Sequence, residues 1–194
     1  MGLFTTYKNK SDEGLMALIV HNDHRAFEEL HKRYHKRLLC FMVKMLNKDE
    51  EKARDLLHDL FLKLVERPHL FHPEKKFYTW VFTVAANMCR TEYRNRFRES
   101  FSTDDDEIAG KERNREELIG STDALIFNEH LSKALDDLQY EHKETFILRF
   151  QEDFSLQEIS EMMNCSVGTV KSRIYYTTRK LANELEAFKT LLKK

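Results

Sequence analysis

The chain has 194 residues, enough for one or two small domains, and carries a formal net charge of −1. It contains five glycines, two prolines and three scattered cysteines without a Cys-x-x-Cys pair, and no apolar segment long enough for a membrane helix or a signal peptide. This composition predicts a soluble, cytoplasmic, all-α protein and argues against disulfide-rich and membrane-inserted classes.

The N-terminal half contains four stretches with helical periodicity. The first is a short apolar helix. Asp23 can cap a long second helix, and Asn47 or Asp49 opens a third, which ends before Pro68.

The fourth helix, residues 77–97, is aromatic and apolar at first and basic at its end. Aromatic rings alternate there with guanidinium groups: Arg90, Tyr93, Arg94, Arg96, Phe97 and Arg98. Such rings stack on exposed bases while guanidinium groups hold the backbone, so the helix suits single-stranded or melted DNA. An alternative stays open, since Trp80 can be a packed core residue and the arginines a solvated helix end.

An acidic segment separates two helical domains. Residues 1–97 hold 18 Lys/Arg and 13 Asp/Glu, residues 98–123 hold 4 and 9, and residues 124–194 hold 10 and 11. The middle segment is polar and poor in large apolar residues, which predicts a flexible acidic linker. Because phosphate neutralisation supplies most non-specific affinity, this weak basic excess predicts weak DNA binding without a large partner.

Residues 154–181 predict two short helices around a tight turn. Ser155 and Glu158 form a capping box, and Ser166 can cap the second helix. The outward face of that helix carries Thr169, Lys171, Ser172, Arg173, Tyr176 and Arg179. Such a face suits the major groove, where Arg and Lys reach guanine edges and phosphates. An ordinary helical hairpin with a solvated basic face would have the same periodicity.

The segment before this hairpin predicts its support. Phe146, Ile147 and Phe150 are expected to pack beneath the second helix and fix its angle. Arg149 is expected to project elsewhere, toward a phosphate.

Together these features resemble the bacterial sigma-70 family of RNA polymerase sigma factors. The resemblance is closest to the extracytoplasmic-function (ECF, group 4) kind, which has only regions two and four. Residues 23–42 look like region 2.1, residues 50–66 like region 2.2, residues 76–96 like regions 2.3 and 2.4, and residues 135–181 like region four. The implied fold is two small helical domains, residues 1–97 and 124–194, joined by the linker.

The resemblance also implies a division of roles. The region 2.2 helix would dock on the clamp coiled coil of the polymerase through Asp55, Leu56, His58, Asp59 and Phe61, with Phe61 either an anchor or core. The −10 element would meet Trp80, Asn87, Arg90, Tyr93 and Arg94, where Asn87 captures a flipped base and the arginines hold the backbone. The −35 element would meet Arg149, Thr169, Lys171, Ser172, Arg173, Tyr175, Tyr176 and Arg179.

The implied partners are core RNA polymerase, through the clamp coiled coil and the flap of its large subunits, promoter DNA and an anti-sigma factor. No catalytic residue, cofactor, metal or membrane insertion is implied. The acidic run 104–107 is either a polyanion mimic or a solubilising tether. The sequence departs from the family pattern at Arg54, His58, Gln139 and Tyr176, so neither the details of the polymerase contact nor the promoter sequence can be transferred from relatives.

Two other functions fit parts of the sequence. His58-Asp59, with His31 and His35 one turn apart, resembles the ligands of metal-dependent phosphohydrolases built on a His-Asp pair. A stand-alone helix-turn-helix regulator would explain residues 154–181 but not the aromatic, basic helix or the two domains.

Overall fold

The computed structural model describes residues 7–102 and 122–192, and the regular elements of these residues are all helical. Two 3₁₀ turns lie at Tyr7–Asn9 and Pro68–Leu70. The α-helices are α1 (Asp12–Ile19), α2 (His24–Met45), α3 (Glu50–Glu66), α4 (Phe77–Ser102), α5 (Thr122–Asp136), α6 (Tyr140–Phe150), α7 (Leu156–Met162) and α8 (Val167–Leu192). The predicted all-α fold is confirmed. Within the described residues, none of the helices combines the length and apolar character that crossing a membrane needs.

The chain divides into two compact units, Met1–Arg96 and Phe97–Lys194. Helix α4 runs to Ser102, so the first five residues of the predicted linker, residues 98–102, are helical. Residues 98–102 contain neither glycine nor proline, so nothing in their sequence ends the helix. The rest of that segment, with its acidic run, lies mostly outside the described residues, and its linker character stays a prediction.

Helix α2 begins after its predicted cap, and α3 begins after one of the two candidates for its cap. The Asp23 carboxylate accepts the backbone N–H of Arg25 and Ala26, at 3.0 and 3.2 Å. Asp49, rather than Asn47, caps α3 and accepts the N–H of Lys52 at 3.1 Å. These short-range hydrogen bonds satisfy amides that the first turn of a helix leaves without partners.

The core of the first unit forms where α2 packs against α1 and α3, and α4 contributes aromatic side chains. Phe41 of α2 meets Phe82 of α4 edge to face, with ring centroids 5.4 Å apart. Its largest fully buried side chains include Leu15, Leu30, Leu38, Phe41, Met42, Met45, Leu60, Leu64, Phe77 and Phe82. Burial on this scale fixes α4 against α2, and so fixes which face of α4 meets solvent.

A carboxylate from α1 caps α4. Glu13 Oε1 accepts the backbone N–H of Phe77, the first residue of α4, at 2.9 Å. This hydrogen bond is the main cause that lowers the pKa of Glu13 below its ordinary value of 4.5. The contact spans 64 residues of sequence and holds the start of α4 in place.

We expect Glu13→Ala to destabilise the first unit by about 1–2 kcal/mol at pH 7, the usual cost of losing a cap. Because the folded pKa is lowered, the contribution is complete above the ordinary pKa and is lost as the pH falls through the folded value. Urea unfolding followed by the fluorescence of Trp80, the single tryptophan, should therefore show a gap between wild type and variant at pH 7 that narrows below pH 4.5. An equal gap at both pH values would contradict the assignment.

In the second unit α8 packs against α5, α6 and α7. The predicted capping box is present, with Ser155 and Glu158 hydrogen-bonded to each other's backbone N–H. Ser166 Oγ accepts the N–H of Thr169 at 3.0 Å and so caps α8, as predicted. The caps of α7 and α8, the two helices of the predicted helix-turn-helix, are therefore the ones that the sequence indicates.

The packing prediction for α6 is correct for Ile147, which is fully buried, and wrong for Phe150, which is 50% exposed. Phe150 is the last residue of α6, and its ring lies against Phe146 one turn earlier, with centroids 4.9 Å apart. Phe146 itself packs against the cluster of Ala134, Leu135 and Leu181. Ile147 and Leu148, which are fully buried, fill the core in place of Phe150.

Candidate functional surfaces

A groove of ≈ 400 Å³ lies between α2 and α3 in the first unit. It is lined by Phe27, His31, His35, Arg54, Leu57, His58, Phe61, Leu62 and Val65. Apolar side chains dominate this lining, and its polar groups are three imidazoles and one guanidinium. A concave apolar surface with a few polar groups is the usual form of a binding site.

Phe61 forms part of the floor of the groove. Its ring is 6% exposed and meets Phe27 edge to face, with centroids 6.0 Å apart, while His31 lies 4.6 Å away. The sequence left Phe61 as either anchor or core, and the structure makes it core. Leu62 and Val65 instead present apolar surface, at 44% and 43% exposure.

Leu62 and Val65 were missed by the sequence analysis, although a signal existed. They follow His58 by four and seven residues, which places all three on one stripe of α3. Asp55 and Asp59 are exposed on the same helix, and Leu56 is half-buried. At helical spacing the two exposed carboxylates lie along one side of the apolar stripe.

The groove also contains the histidines that the metal-dependent phosphohydrolase alternative would use. His31 and His35 have ring centroids 4.9 Å apart, and His58 lines the same groove. Within residues 7–102 and 122–192, no group of three His, Cys, Asp or Glu side chains comes close enough to hold a metal ion.

Burial, followed by the charge of His35, lowers the pKa of His31 below its ordinary value of 6.5. Below that pH the unfolded chain binds more protons than the folded chain, so the stability of the first unit should fall as the pH drops. We expect His31→Gln to reduce this pH dependence, measured as the urea midpoint from Trp80 fluorescence at pH 7.5 and pH 5.5. His72→Gln removes an exposed histidine outside the groove and is the control. The same pH dependence in His31→Gln as in wild type would contradict the expectation.

The exposed face of α4 carries the residues predicted to meet the −10 element. Asn87, Tyr93 and Arg94 are exposed, and Arg90 is half-buried. Arg90 Nη1 donates a hydrogen bond to Asn87 Oδ1 at 2.7 Å. Trp80 is half-buried, with its ring 5.4 Å from Phe71 and 5.8 Å from Phe77, so part of it still faces solvent.

Arg96 makes two ion pairs inside the first unit. Its Nη2 donates to Asp49 at 2.6 Å and its Nε to Glu92 at 2.9 Å. Lys52 approaches the other oxygen of Glu92 at 3.5 Å. This network ties α4 to the first turn of α3, so Arg96 has a structural contact that the sequence did not predict.

The exposed face of α8 carries most of the residues predicted to meet the −35 element. Lys171, Ser172, Tyr175, Tyr176 and Arg179 are exposed, while Thr169 and Arg173 are half-buried. The opposite face of the helix is closed by Val170, Thr177 and Leu181, which are buried. The packing of α8 therefore leaves a continuous polar and aromatic face in solvent.

Two arginines near this face have contacts inside the unit. Arg149 Nη1 donates to the carbonyl oxygen of Phe154 at 2.9 Å, which ties α6 to the start of the helix-turn-helix instead of projecting freely. Arg173 Nη1 lies 3.9 Å from the sulfur atoms of both Met163 and Cys165. A DNA contact for either residue stays a prediction.

Two family models match this chain, and both describe the same family. The model for Sigma-70 region 2 matches residues 30–99, and the model for Sigma-70, region 4 matches residues 129–181. The ECF RNA polymerase sigma factor EcfG of Rhodopseudomonas palustris is 30% identical over 137 residues, covering 71% of this chain and 73% of EcfG. The chain belongs to the sigma-70 family, in its ECF group. It is an RNA polymerase sigma factor that directs promoter-specific transcription initiation.

Further relatives agree with this placement of the sigma factor. The RNA polymerase sigma-H factor of Pseudomonas aeruginosa is 25% identical over 173 residues, covering 86% of this chain and 89% of its own. Among solved structures, the sigma factor RpoE of Bartonella quintana, in complex with the anti-sigma factor NepR, has a TM-score of 0.71 and 25% identity, and the match covers 82% of this chain and 96% of that chain. CnrH, solved with the cytosolic domain of CnrY, shares the fold at a TM-score of 0.66 and 22% identity, over 92% and 99% of the two chains. The resemblance inferred from the sequence is confirmed, and the stand-alone regulator is not favoured.

Proposed function

We propose that this sigma factor docks on core RNA polymerase through the α2–α3 groove, reads the −35 element with α8 and holds the melted −10 strand on α4. It has no catalytic activity of its own and acts in the cytoplasm. The observation that carries the proposal is that the groove and the reading face of α8 are separate surfaces, one in each compact unit.

The groove suits a helical partner. His58, Leu62 and Val65 form an exposed stripe at helical spacing, and Phe61 closes the floor beneath it. Helices bind such grooves by inserting apolar side chains at the same spacing. Asp55 and Asp59 flank the stripe, so they favour a partner with basic residues at its rim. The clamp coiled coil of the polymerase is the partner that the family resemblance implies.

The second unit suits duplex DNA and a further contact with the polymerase. Lys171 and Ser172 lie in the first turns of α8, where the N-terminal residues of a recognition helix reach base edges. Tyr175 and Tyr176 follow on the exposed face, with ring centroids 5.5 Å apart. The exposed ring of Phe150 offers apolar surface in this unit, and we assign it to the flap of the polymerase.

The exposed face of α4 suits unpaired bases. Trp80 and Tyr93 offer rings for stacking, worth about 1–3 kcal/mol per base, while Arg90 and Arg94 approach the backbone. Asn87 lies between Trp80 and Tyr93 along α4 and carries the amide that would meet the base edge. Stacking on this surface requires unpaired bases, which agrees with a factor that acts only in complex with the polymerase.

An anti-sigma factor is the third partner. The Bartonella relative was solved with such a protein bound. For this chain we propose that its anti-sigma factor covers the α2–α3 groove, because an apolar stripe that must stay open for the polymerase is also the surface an inhibitor would have to mask.

Run-off transcription on fragmented genomic DNA tests the function as a whole. Bacterial core polymerase is compared with and without the full chain. Discrete start sites that appear only with the chain present are expected, and their upstream sequences define the promoter. If no new start sites appear with a cognate core enzyme and a folded chain, the proposal is contradicted.

A further inference from the structure

The side-chain amide of Asn87 has a defined polarity. Its Oδ1 accepts a hydrogen bond from Arg90 Nη1 at 2.7 Å. A guanidinium has only donors, so the amide atom that faces it must be the oxygen. The Nδ2 group, with its two N–H donors, lies on the other side of the planar amide and is turned away from Arg90.

The neighbouring backbone is held as well. Thr91 Oγ1 donates to the carbonyl oxygen of Asn87 at 2.9 Å, so the hydroxyl one turn along α4 is already used inside the helix. Asn87 is nevertheless exposed, and its amide can meet a ligand. Asn87 therefore presents to a ligand mainly the two N–H donors of its Nδ2 group.

We infer that Arg90 is a positioning residue that sets the base preference at Asn87 by occupying the amide oxygen. The inference rests on the proposed function, in which Asn87 meets a base of the melted strand. A free amide pairs with adenine through both groups, accepting from N6 and donating to N7. With the oxygen held by Arg90, that pair is weakened, and edges rich in acceptors are favoured. The cytosine edge with O2 and N3, the thymine carbonyls and the guanine edge with O6 and N7 meet this requirement, so adenine is the base that is disfavoured.

This role differs from a backbone contact by Arg90. A guanidinium that only holds a phosphate contributes equally whichever base is captured. A guanidinium that orients Asn87 changes the ranking of the four bases. The two roles can therefore be separated by measuring base preference as well as affinity.

The experiment uses the full chain with core polymerase and a promoter mapped by run-off transcription. Each of the four bases is placed in turn at each unpaired −10 position of the non-template strand, and open-complex formation is measured. The wild type should prefer pyrimidines over adenine at one position. Arg90→Ala should raise adenine relative to pyrimidine there by about tenfold, which is the discrimination expected when a bidentate pair with adenine is restored.

Two further variants complete the test. Arg90→Lys keeps a donor-only cation and should keep the pyrimidine preference, while Asn87→Ala should abolish any preference at that position. If Arg90→Ala lowers binding equally for all four bases and leaves their ranking unchanged, the positioning role is wrong although base capture by Asn87 stands. If Asn87→Ala matches the wild type for all four bases, base capture at Asn87 is itself wrong.

Discussion

Leu62→Asp together with Val65→Asp should lower the affinity of the sigma factor for core polymerase by about 100-fold or more. Truncating a hot-spot residue at the centre of an interface costs about 2 kcal/mol or more, and a carboxylate buried there without a partner adds a desolvation penalty. Both side chains are exposed in the free chain, so the substitutions should leave its stability almost unchanged. Fluorescence anisotropy of labelled sigma factor titrated with core enzyme measures the effect.

The matched control is Val20→Asp. Val20 is 51% exposed in the same unit, ends α1 and does not line the groove. It should bind core polymerase as the wild type does. If the groove variant binds normally, or if Val20→Asp fails equally, the polymerase does not dock on this groove. The same pair tested with a purified anti-sigma factor shows whether that partner uses the groove too.

Lys171→Ala together with Tyr176→Ala should have the second large effect, a loss of about 10- to 100-fold in promoter complex formation that depends on the −35 element. Each good base contact discriminates by about 1–3 kcal/mol, and both side chains lie on the exposed face of α8. Binding to core polymerase should be unaffected. The measurement is a gel-shift titration of assembled holoenzyme on promoter DNA with intact or scrambled −35 sequence.

Lys133→Ala is the control for this pair. It removes one exposed positive charge from the second unit but lies on α5, away from the reading face. A general electrostatic effect would weaken binding equally in both variants and would persist on the scrambled promoter. Such a result would place −35 recognition elsewhere in the chain.

The sequence was least informative for apolar side chains that could be either buried in the core or exposed to solvent. Phe61 and Leu62 are adjacent and both apolar, and periodicity alone did not decide which of them is buried. The packing of α2 on α3 decides it, because Phe27 and His31 contact Phe61, whereas Leu62 stays 44% exposed in the groove. Phe150 was assigned inward by the same reasoning and lies outward, because Ile147 and Leu148 already fill that part of the core.

Arg96 shows the same limit for charged residues. Its position between Arg94 and Arg98 predicted that it would hold the DNA backbone with them. In the structure, two carboxylates bind Arg96 inside the first unit. Glu92 lies one turn away and could have been foreseen from its spacing. Asp49 lies 47 residues earlier, and only the tertiary fold brings it close.

By itself, the sequence determined the helical class, the starts of α2, α7 and α8, the helix-turn-helix and the family. Those features depend on residues within about one helical turn of each other, or on the order of motifs along the chain. Only the tertiary structure decided which apolar residues of α3 face the groove, that Glu13 caps α4 and that Asp49 binds Arg96. Each of these depends on which atoms long-range packing places beside a given side chain, and that information is not in the local sequence.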